Sequence, residues 1–267
     1  MKQSTFYYLL RRGLFRSAMS VVKEGLVMFN KFTTAGISHP SSGSAEFDGS
    51  SDYIQVKDDG KGSAFDTQEF TIGAWVNADN LDNNVVWSYD YTSHTSPYYA
   101  QQFRLLGQGA IYFAWNNNGT LQELNANTSS YYSANTWHYV VATMKAGEQR
   151  IYFDGSIIAS SSVSPTITYY NQEVWIGKSN FGGNFDGNMA NVAFWNRALS
   201  SDEINSVMWK GYQSLTDNEK SGLQAWYSLD DIASPAASLA TMEALAVDKD
   251  ATIENKAAVT AAINALS

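Results

Sequence analysis

Two acidic residues at the start of the predicted globular region have a spacing that could support glycoside hydrolysis. Glu46 and Asp48 are separated by one residue, so on an extended strand both side chains point to the same face. A glycanase that uses such a strand needs an acid, a nucleophile and a supporting carboxylate. The positions that would carry the third acid are Ser50 and Ser51. No other stretch restores the motif, and we therefore expect no catalysis of this kind.

Other residue types that carry common enzyme chemistry are scattered or absent. The histidines, His39, His94 and His138, have neither the His-x-x-x-His spacing nor the paired carboxylates of a catalytic zinc site. No serine lies in a Gly-x-Ser-x-Gly turn. There is no cysteine, which excludes a thiol nucleophile, a thiolate metal site and a disulfide scaffold. The sequence therefore predicts a protein that is not an enzyme.

Aromatic and amide residues that could bind a glycan are concentrated between residues 87 and 118. Aromatic rings can stack on the CH face of a sugar, while amides and arginine select patterns of hydroxyl groups. Strand alternation places half of these aromatics in the core, and residues 91–99 could instead form a tyrosine-rich subunit contact. The candidates for glycan binding are Tyr89, Tyr98, Tyr99, Arg104, Trp115, Asn116 and Asn118.

The elements that must position these residues are strands, and the strongest strand signal lies at residues 136–155. Residues 145–148 form a turn between two strands, and Asp154-Gly155 forms a second tight turn into residues 156–160. Both faces of the first strand are largely apolar, so we expect it inside a β-sandwich, with Trp137 buried. One face carries Trp137, Tyr139, Val141 and Thr143, and the other carries His138, Val140, Ala142 and Met144.

Further strand patterns follow one another at short intervals, separated by turns rich in Gly, Asn and Asp. This arrangement is typical of two packed antiparallel sheets. The predicted strands cover residues 45–48, 53–57, 69–77, 84–89, 101–106, 110–116, 121–124, 137–145, 149–153, 156–161, 173–178, 188–195 and 223–229.

Four stretches of the chain resemble, in order, the jelly-roll domains of concanavalin A-like, laminin-G-like proteins. They are residues 44–54, residues 70–76, the hairpin at residues 137–155, and residues 185–200 with the helix that follows. The resemblance extends over residues 44–229. It implies an all-β, two-sheet antiparallel jelly-roll sandwich, a scaffold that lectins, adhesive modules, virion proteins and glycanases share.

The resemblance also implies a calcium ion at the rim of the sandwich, held by carboxylates of the opening and closing strands. Asp48 and Asp52 match the opening positions, but the closing strand carries Asn191 where an acid is expected. Loss of that charge weakens a site for a hard dication. Two alternatives stay open, a calcium site of Asp48, Asp52 and Asn191, or aspartates that, with Asp186, build turns. No other cofactor is expected.

Residues 1–43 precede the sandwich as a basic amphipathic arm and linker. Residues 1–34 contain six basic residues and one acidic residue, a charge of +5, whereas the rest of the chain carries −14. The apolar spacing suits an amphipathic helix interrupted at Gly13. The arm either packs on its own sandwich or docks on an acidic partner, and we favour docking. The residues expected to dock are Leu9, Arg11, Arg12, Leu14 and Arg16.

Helices are predicted after the main strand region. Ser200 and Glu203 have capping-box spacing, with Leu199 placed to pack on Ile204, and residues 216–219 repeat that spacing. The sandwich domain is expected to end near residue 231. Residues 232–267 form a tail in which Ser234-Pro235 starts a helix to about Leu245, and a second, alanine-rich helix follows. This tail packs on the sandwich or on a neighbouring subunit.

Charge and hydropathy narrow the partners and the location. A net charge of −9 argues against general binding of nucleic acid. No apolar stretch is long enough to cross a bilayer as a helix. Residues 6–10 are too short for the apolar core of a signal peptide and are followed by Arg11-Arg12, so we do not expect export by the usual route.

A cysteine-free, laminin-G-like module with its own arm resembles the virion proteins of tailed bacteriophages. The resemblance implies capsid decoration or a tail appendage, with capsid or tail proteins of the same virion as partners. Further copies of the chain in a homo-oligomer and a host surface polysaccharide are additional candidate partners. The alternative is a cellular carbohydrate-binding or adhesive module, outside the cell or at its surface. A degenerate glycanase is a third, remote hypothesis.

Overall fold

The computed structural model describes residues 40, 43–57, 64–89, 98–126, 131–169, 173–180 and 182–229, and the backbone of residues 242–243. Most of the regular structure in these ranges is β-strand, joined by two short α-helices and two 3-10 turns. In chain order the elements are β1 (Ala45–Asp48), β2 (Ile54–Lys57), β3 (Phe70–Ala78), β4 (Asn84–Tyr89), β5 (Gln101–Leu106), β6 (Ala110–Asn117), β7 (Thr120–Ala126), β8 (His138–Lys145), β9 (Glu148–Phe153), β10 (Ser156–Ser161), β11 (Val174–Ile176), β12 (Asp186–Trp195), α1 (Ser201–Val207), α2 (Asp217–Lys220), β13 (Leu223–Tyr227) and β14 (Met242–Glu243).

The strands form two sheets, which confirms the predicted two-sheet sandwich. The first sheet has the order β1-β12-β3-β8-β9-β10, and β13 pairs with the second half of β12 while β1 pairs with its first half. The second sheet has the order β14-β2-β11-β4-β5-β6-β7. All pairs in the two sheets are antiparallel except the pair formed by β14 and β2.

Every strand predicted from the sequence is present, but the predicted helix in the C-terminal tail is wrong at Met242–Glu243. These two residues are extended and pair in parallel with Val56 and Lys57 of β2. Without them β2 would be an edge strand, whose open N–H and C=O groups favour pairing with a further strand. The rest of this tail and the predicted N-terminal arm lie outside the described residues.

Turn geometry at residues 154–155 confirms the predicted tight connection between β9 and β10. Asp154 and Gly155 have φ angles of 47° and 80°, the left-handed conformation that a two-residue hairpin turn requires. Asp154 also braces the neighbouring strand, because its Oδ1 accepts the N–H of Tyr139 at 2.8 Å. Its Oδ2 lies 2.9 Å from His138 Nδ1.

Aromatic rings fill the space between the two sheets. Phe194 of β12 stacks on Trp87 of β4 with ring centroids 5.4 Å apart, and on Phe70 of β3 at 5.8 Å. The edge of Phe65 approaches the same ring at 5.0 Å. All four side chains are buried, so the rings join the two sheets through the hydrophobic effect and through favourable ring geometry.

The outer face of the first sheet is also buried, beneath α1 and the segment that follows it. Trp75 of β3 lies at the centre of this second cluster, with ring centroids 5.5 Å from Tyr139 and 5.4 Å from Trp209. Its Nε1 donates to the carbonyl oxygen of Met208 at 2.8 Å. The middle of the first sheet is therefore covered on both faces, as the apolar pattern of the central hairpin predicts.

The predicted helix starts are confirmed by complete capping boxes. Ser200 accepts from the N–H of Glu203 while the Glu203 carboxylate accepts from the N–H of Ser200, and Thr216 and Glu219 make the same exchange. Burial by itself raises the pKa of Glu219, but hydrogen bonds, led by that from Lys210, lower it to about 2. The covering segment is therefore held by local hydrogen bonds as well as by packing.

Trp137 is not the buried core residue that the sequence predicts. Strand β8 begins one residue later, at His138, and the Trp137 side chain is only partly buried against the outer cluster. It lies at the end of the hairpin, where the covering segment does not enclose it completely. Trp75, which is fully buried, takes the role assigned to Trp137.

Replacement of Trp75 should therefore be strongly destabilising. Trp75→Ala removes a buried indole and its hydrogen bond to Met208, and we expect a loss of about 3–5 kcal/mol in the free energy of unfolding. Lys145→Ala, at an exposed turn, should change it by less than about 0.5 kcal/mol. Urea unfolding of both variants measures the difference. Equal midpoints would contradict the placement of Trp75 in the outer cluster.

Candidate glycan-binding face

Strand alternation divides the predicted glycan-binding residues between the two faces of the second sheet. Tyr89 of β4 and Trp115 of β6 face the first sheet and belong to the core between the sheets. The Tyr89 hydroxyl donates to Asp66 Oδ1 at 2.8 Å, and Trp115 Nε1 donates to Gln149 Oε1 at 2.9 Å. The prediction that these two rings bind a sugar is wrong, because core packing covers both of their faces.

Asn116 is buried, and its amide holds two chain segments together. Its Nδ2 donates to the carbonyl oxygens of Tyr99 at 3.3 Å and Thr168 at 2.9 Å, and its Oδ1 accepts the N–H of Thr168 at 3.1 Å. Prediction of Asn116 as a glycan ligand is therefore wrong, because its hydrogen-bonding groups are used within the protein.

Asn118 and Tyr98 remain accessible at the surface. Asn118 is exposed and adopts a φ of 49° in the turn between β6 and β7, beside Gly119 with a φ of 82°. Tyr98 is partly buried and has a φ of 61°. The turn explains why an asparagine occurs at position 118. A role for either side chain in glycan binding stays a prediction.

A row of side chains crosses the outer face of the second sheet. Cross-strand partners lie on the same face of a sheet, so the register aligns one residue from each of five neighbouring strands. The row consists of Trp175, Ser88, Gln102, Ala114 and Glu123.

A hydrogen-bonded chain of three residues lies on the β6 and β7 side of this face. The hydroxyls of Tyr99 and Tyr112 are 2.9 Å apart, and Tyr112 donates to Glu123 Oε1 at 2.7 Å. Burial raises the pKa of Tyr112 well above its usual value, and its bonds to Tyr99 and Glu123 raise it further. Tyr112 therefore stays a neutral donor. Tyr99 is buried, so the predicted stacking of a sugar on its ring is wrong.

Arg104 lies at the other side of this face and links β5 to two loops. Its guanidinium donates to Asn83 Oδ1 and to Ser179 Oγ, both at 3.3 Å. Gln102 donates to the same hydroxyl of Ser179 at 2.9 Å. Arg104 itself is mostly buried, but Asn83 is exposed. Arg104 therefore positions the exposed Asn83 side chain. Its own role in glycan binding stays a prediction.

Lys178 lies beside this network, over an aromatic surface. Its Nζ is 4.0 Å from the ring centroid of Tyr53 and 5.1 Å from that of Trp175, distances at which a cation is attracted to a ring face. Ser88 donates to the carbonyl oxygen of Lys178 at 2.6 Å and so fixes the backbone. Among the residues that the structure describes, Lys178 has no carboxylate partner.

Sequence reasoning did not identify Tyr53 or Lys178. The predicted strand over residues 173–178 contained one usable signal, because alternation puts Trp175 on the face opposite to Val174 and Ile176. Nothing local indicated that Tyr53, more than a hundred residues away, would lie beneath Lys178. We call the residues at this edge of the second sheet the front-face group, and they are Tyr53, Asn83, Arg104, Lys178 and Ser179.

The proposed calcium ligands do not come together. Asp48 Oδ1 accepts the N–H groups of Ser50, Ser51 and Asp52 at 2.9, 2.7 and 3.0 Å. These bonds, that of Ser51 first, hold the pKa of Asp48 far below its usual value. Asp48 therefore builds a turn, which is the second of the two alternatives.

Asn191 is too far along β12 to share an ion with Asp48. The strand partner of Asp48 is Asp186, so Asn191 lies five residues farther along, roughly 16 Å at 3.3 Å per residue. Asn191 is instead buried at an irregularity of β12 with a φ of 49°. The calcium site of Asp48, Asp52 and Asn191 is wrong as a set. Within the described ranges, no three or more His, Asp or Glu side chains are grouped to hold a metal ion.

The expected docking residues Leu9, Arg11, Arg12, Leu14 and Arg16 lie outside the described residues, and their role stays a prediction. In the part of the chain that the structure describes, no helix has the length and apolar character needed to span a membrane.

Comparison with known proteins agrees with the architecture. Residues 48–205 match the profile of the concanavalin A-like lectin/glucanases superfamily, in its laminin G-like group. No curated protein matches the chain.

The solved structures to which the chain is similar are distant in sequence. One is a Bacteroides ovatus protein provisionally named as carbohydrate-binding, which is 22% identical, with a TM-score of 0.53. The match covers 70% of this chain and 51% of that protein, so the chain spans about half of its length. Domain 4 of the Geobacillus stearothermophilus arabinanase AbnA, in complex with arabinotriose, is 13% identical, with a TM-score of 0.49 over 62% of this chain and 76% of that one. At 22% identity the likeness to the Bacteroides ovatus protein shows the fold alone.

Two neighbouring asparagines provide a test of the structural roles assigned here. Asn116→Ala leaves buried backbone groups without their partner, and we expect a loss of about 1–3 kcal/mol in the free energy of unfolding. Asn118→Gly should be nearly neutral, because glycine adopts the same positive φ without strain. Thermal and urea unfolding would compare the two. If Asn116→Ala were as stable as Asn118→Gly, the hydrogen bonds of the buried amide to the backbone of Tyr99 and Thr168 would not contribute to stability.

Proposed function

The chain belongs to the concanavalin A-like lectin/glucanases superfamily, and on this premise we propose that it is a non-enzymatic module that binds carbohydrate through the front-face group. The observation that carries the proposal is the position of Lys178 over the ring of Tyr53, next to the exposed amide of Asn83. A partly exposed ring, a cation and an amide are thereby presented at one edge of a rigid sheet.

The chemistry of this edge suits a sugar. The Lys178 ammonium can donate to hydroxyl or carboxylate oxygens, and the Asn83 amide can both donate and accept. The Tyr53 ring supplies an apolar face of the kind that packs against the CH groups of a pyranose. Arg104 and Ser179 lie behind these groups and hold the loops in place through hydrogen bonds. Preorganised polar groups around an aromatic surface favour binding because little side-chain freedom is lost.

The acidic residues favour binding over catalysis. Hydrolysis of a glycosidic bond needs a carboxyl group that carries a proton near neutral pH. Asp48 accepts hydrogen bonds at both carboxylate oxygens, and its lowered pKa keeps it ionised. It is therefore unsuited to be the general acid beside Glu46. The provisional name of the Bacteroides ovatus protein, which shares the fold, is consistent with this proposal.

Affinity electrophoresis in gels that contain laminarin, alginate, arabinan or agarose tests the binding function. At least one of these polysaccharides should retard the protein. Lys178→Ala and Tyr53→Ala should each weaken the binding about tenfold, which corresponds to the loss of about 1.4 kcal/mol. The control Lys145→Ala removes an exposed lysine elsewhere and should bind normally.

The same incubations should release no reducing ends. Turnover that disappears in Glu46→Gln would overturn the non-enzymatic assignment. Retardation by none of the four polysaccharides would count against the binding function, and unchanged binding by Lys178→Ala and Tyr53→Ala would remove the front-face group as its site.

The finer proposal is that the module is a virion protein, displayed on a capsid or tail and attached through residues 1–34. Its support is the charge asymmetry, since residues 1–34 carry +5 and the remainder −14, so this segment is suited to an acidic partner surface. The competing proposal is a cellular adhesive module outside the cell or at its surface.

Truncation of the basic segment tests the attachment. A chain that starts at Ser38 should keep its melting temperature but be absent from purified virions, as measured by mass spectrometry. Arg11→Glu with Arg12→Glu should weaken incorporation in a salt-dependent manner. Full incorporation of the truncated chain would refute attachment through residues 1–34. Absence of the intact protein from virions would refute the virion role itself.

A further inference from the structure

Two of the tryptophans differ from the others because their side chains are partly exposed. The chain has eight tryptophans, and six of them are buried: Trp75, Trp87, Trp115, Trp175, Trp195 and Trp226. Trp137 and Trp209 are partly exposed, and both pack against the outer cluster of the first sheet. The two accessible indoles therefore belong to one face, opposite to the face that carries the front-face group.

Trp75 supports this surface from beneath. The ring centroid of Trp209 lies 5.4 Å from that of Trp75, and the hydrogen bond from Trp75 Nε1 to Met208 fixes the backbone next to Trp209. Tyr139, two residues after Trp137 and on the same face, has its ring centroid 5.5 Å from that of Trp75. Trp209 therefore rests on a buried aromatic ring, and Trp137 packs against the same cluster.

A row of polar residues leads to Trp137 across the same face. Glu46 pairs with Asn188, and Asn188 pairs with Asn77. The neighbours of these residues along each strand, including Phe47, Met189 and Val76, face the core between the sheets, so the row faces outward.

Trp137 extends this row. Val76 pairs with His138, which places Trp137 beside Asn77. The N–H of Asn135 donates to the carbonyl oxygen of Ala78 at 2.7 Å, so the two chains stay together beyond the last paired residues. The row therefore presents a carboxylate, two amides and an indole in sequence.

The amide of Asn77 contains an acceptor without a partner. Its Oδ1 is buried and accepts no hydrogen bond from any residue that the structure describes. This oxygen has almost no accessible surface, so the hydroxyl group of a bound molecule does not reach it where it lies. The group of the row that a bound molecule can reach is the carboxylate of Glu46, which is exposed and can accept from a hydroxyl.

The backbone under the row cannot shift easily. Gly187 has a φ of 122°, and a Cβ at this position would lie 2.2 Å from the carbonyl oxygen of Asn77. The glycine therefore allows β12 to approach β3 closely next to the pair formed by Asn188 and Asn77. Side chains carried by strands held in this way are positioned more accurately than side chains on loops.

We propose that Trp137, Trp209 and the row of Glu46, Asn188 and Asn77 form a second carbohydrate-binding surface, for neutral pyranose units. This inference rests on the proposed function and adds a site to it. The indoles supply faces for the CH groups of the sugar, and the row supplies acceptors and amide donors for its hydroxyls. The carboxylate of Glu46 and the net charge of −9 disfavour an anionic sugar here. The two surfaces lie on opposite sheets, so one chain can engage two polysaccharide strands.

Tryptophan fluorescence tests this surface directly, because only the two accessible indoles should be quenched readily by acrylamide. Laminarin and arabinan, as neutral probes, should protect the fluorescence from acrylamide. The double variant Trp137→Ala with Trp209→Ala should lose this protection and bind the neutral polysaccharide at least about tenfold more weakly in affinity electrophoresis, a change of about 1.4 kcal/mol. Tyr212→Ala is the matched control, since Tyr212 is a partly buried aromatic residue of the same cluster whose ring lies against Trp226 instead.

A second variant keeps the test decisive if the double variant unfolds. Asn188→Ala removes a partly buried amide of the row, and it should weaken binding of the same neutral polysaccharide without loss of the folded circular dichroism spectrum. Lys178→Ala, on the other sheet, should leave the protection of the indoles unchanged.

The outcomes separate the two proposals. Wild-type protein that binds none of the polysaccharides overturns the carbohydrate-binding function and this surface together. In a Lys178→Ala background, which weakens the front-face group, binding of a neutral polysaccharide that the two tryptophan replacements leave unchanged, or that Asn188→Ala leaves unchanged when those replacements unfold the chain, overturns this surface alone. Protection of the indoles that persists in Lys178→Ala and disappears in folded Asn188→Ala, which keeps both indoles, supports it.

Discussion

The first sheet is buried on both of its faces, and this double burial fixes where the second sheet and the segment that contains α1 must lie. On the inner face Phe194 stacks against Trp87 of the opposite sheet, and on the outer face Trp75 lies beneath the segment that contains α1. Indole hydrogen bonds fix that segment in place, because Trp75 Nε1 donates to the carbonyl oxygen of Met208 and Trp195 Nε1 to that of Glu219. The cover is therefore anchored at defined points. It leaves the end of the sheet at Trp137 partly open, and this opening is what makes a surface available there.

The second sheet differs from the first because polar side chains are buried on its outer face. Such groups must satisfy one another, and a network that does so is rigid as well as polar. Gln102 and Arg104 share the hydroxyl of Ser179, while Tyr112 donates to Glu123 at the far side of the sheet. The interior of the face is thereby occupied, and the groups that can still meet a ligand are those at its edge, beneath Lys178.

Amides and carboxylates in this protein mostly hold the chain together. Asn116 joins two segments, Asn84 accepts the N–H of Asp186 at 2.9 Å, and Asp48 collects three N–H groups of its own turn. A high content of Asn and Asp therefore does not by itself indicate sugar or metal binding. Two amides differ from this pattern, because the buried Oδ1 atoms of Asn77 and Asn191 accept no hydrogen bond from the residues that the structure describes.

Local sequence patterns are sufficient to predict the strands, their turns and the two capped helices, because each of these depends on residues a few positions apart. Period-two alternation, the Asp154-Gly155 turn and the Ser200 and Glu203 exchange are signals of this local kind. Which face of a strand is covered, and which segment covers it, follows from long-range packing instead. Tyr89 and Trp115 were indistinguishable from surface rings until the opposite sheet covered them, and Trp137 was indistinguishable from Trp75 until the segment after α1 covered one more than the other. The hydrogen bond between Trp75 and Met208 joins residues 133 positions apart, and the calcium set failed because strand register separates its members. Contacts at such separations are chosen by the packing of whole sheets, and no local pattern encodes them.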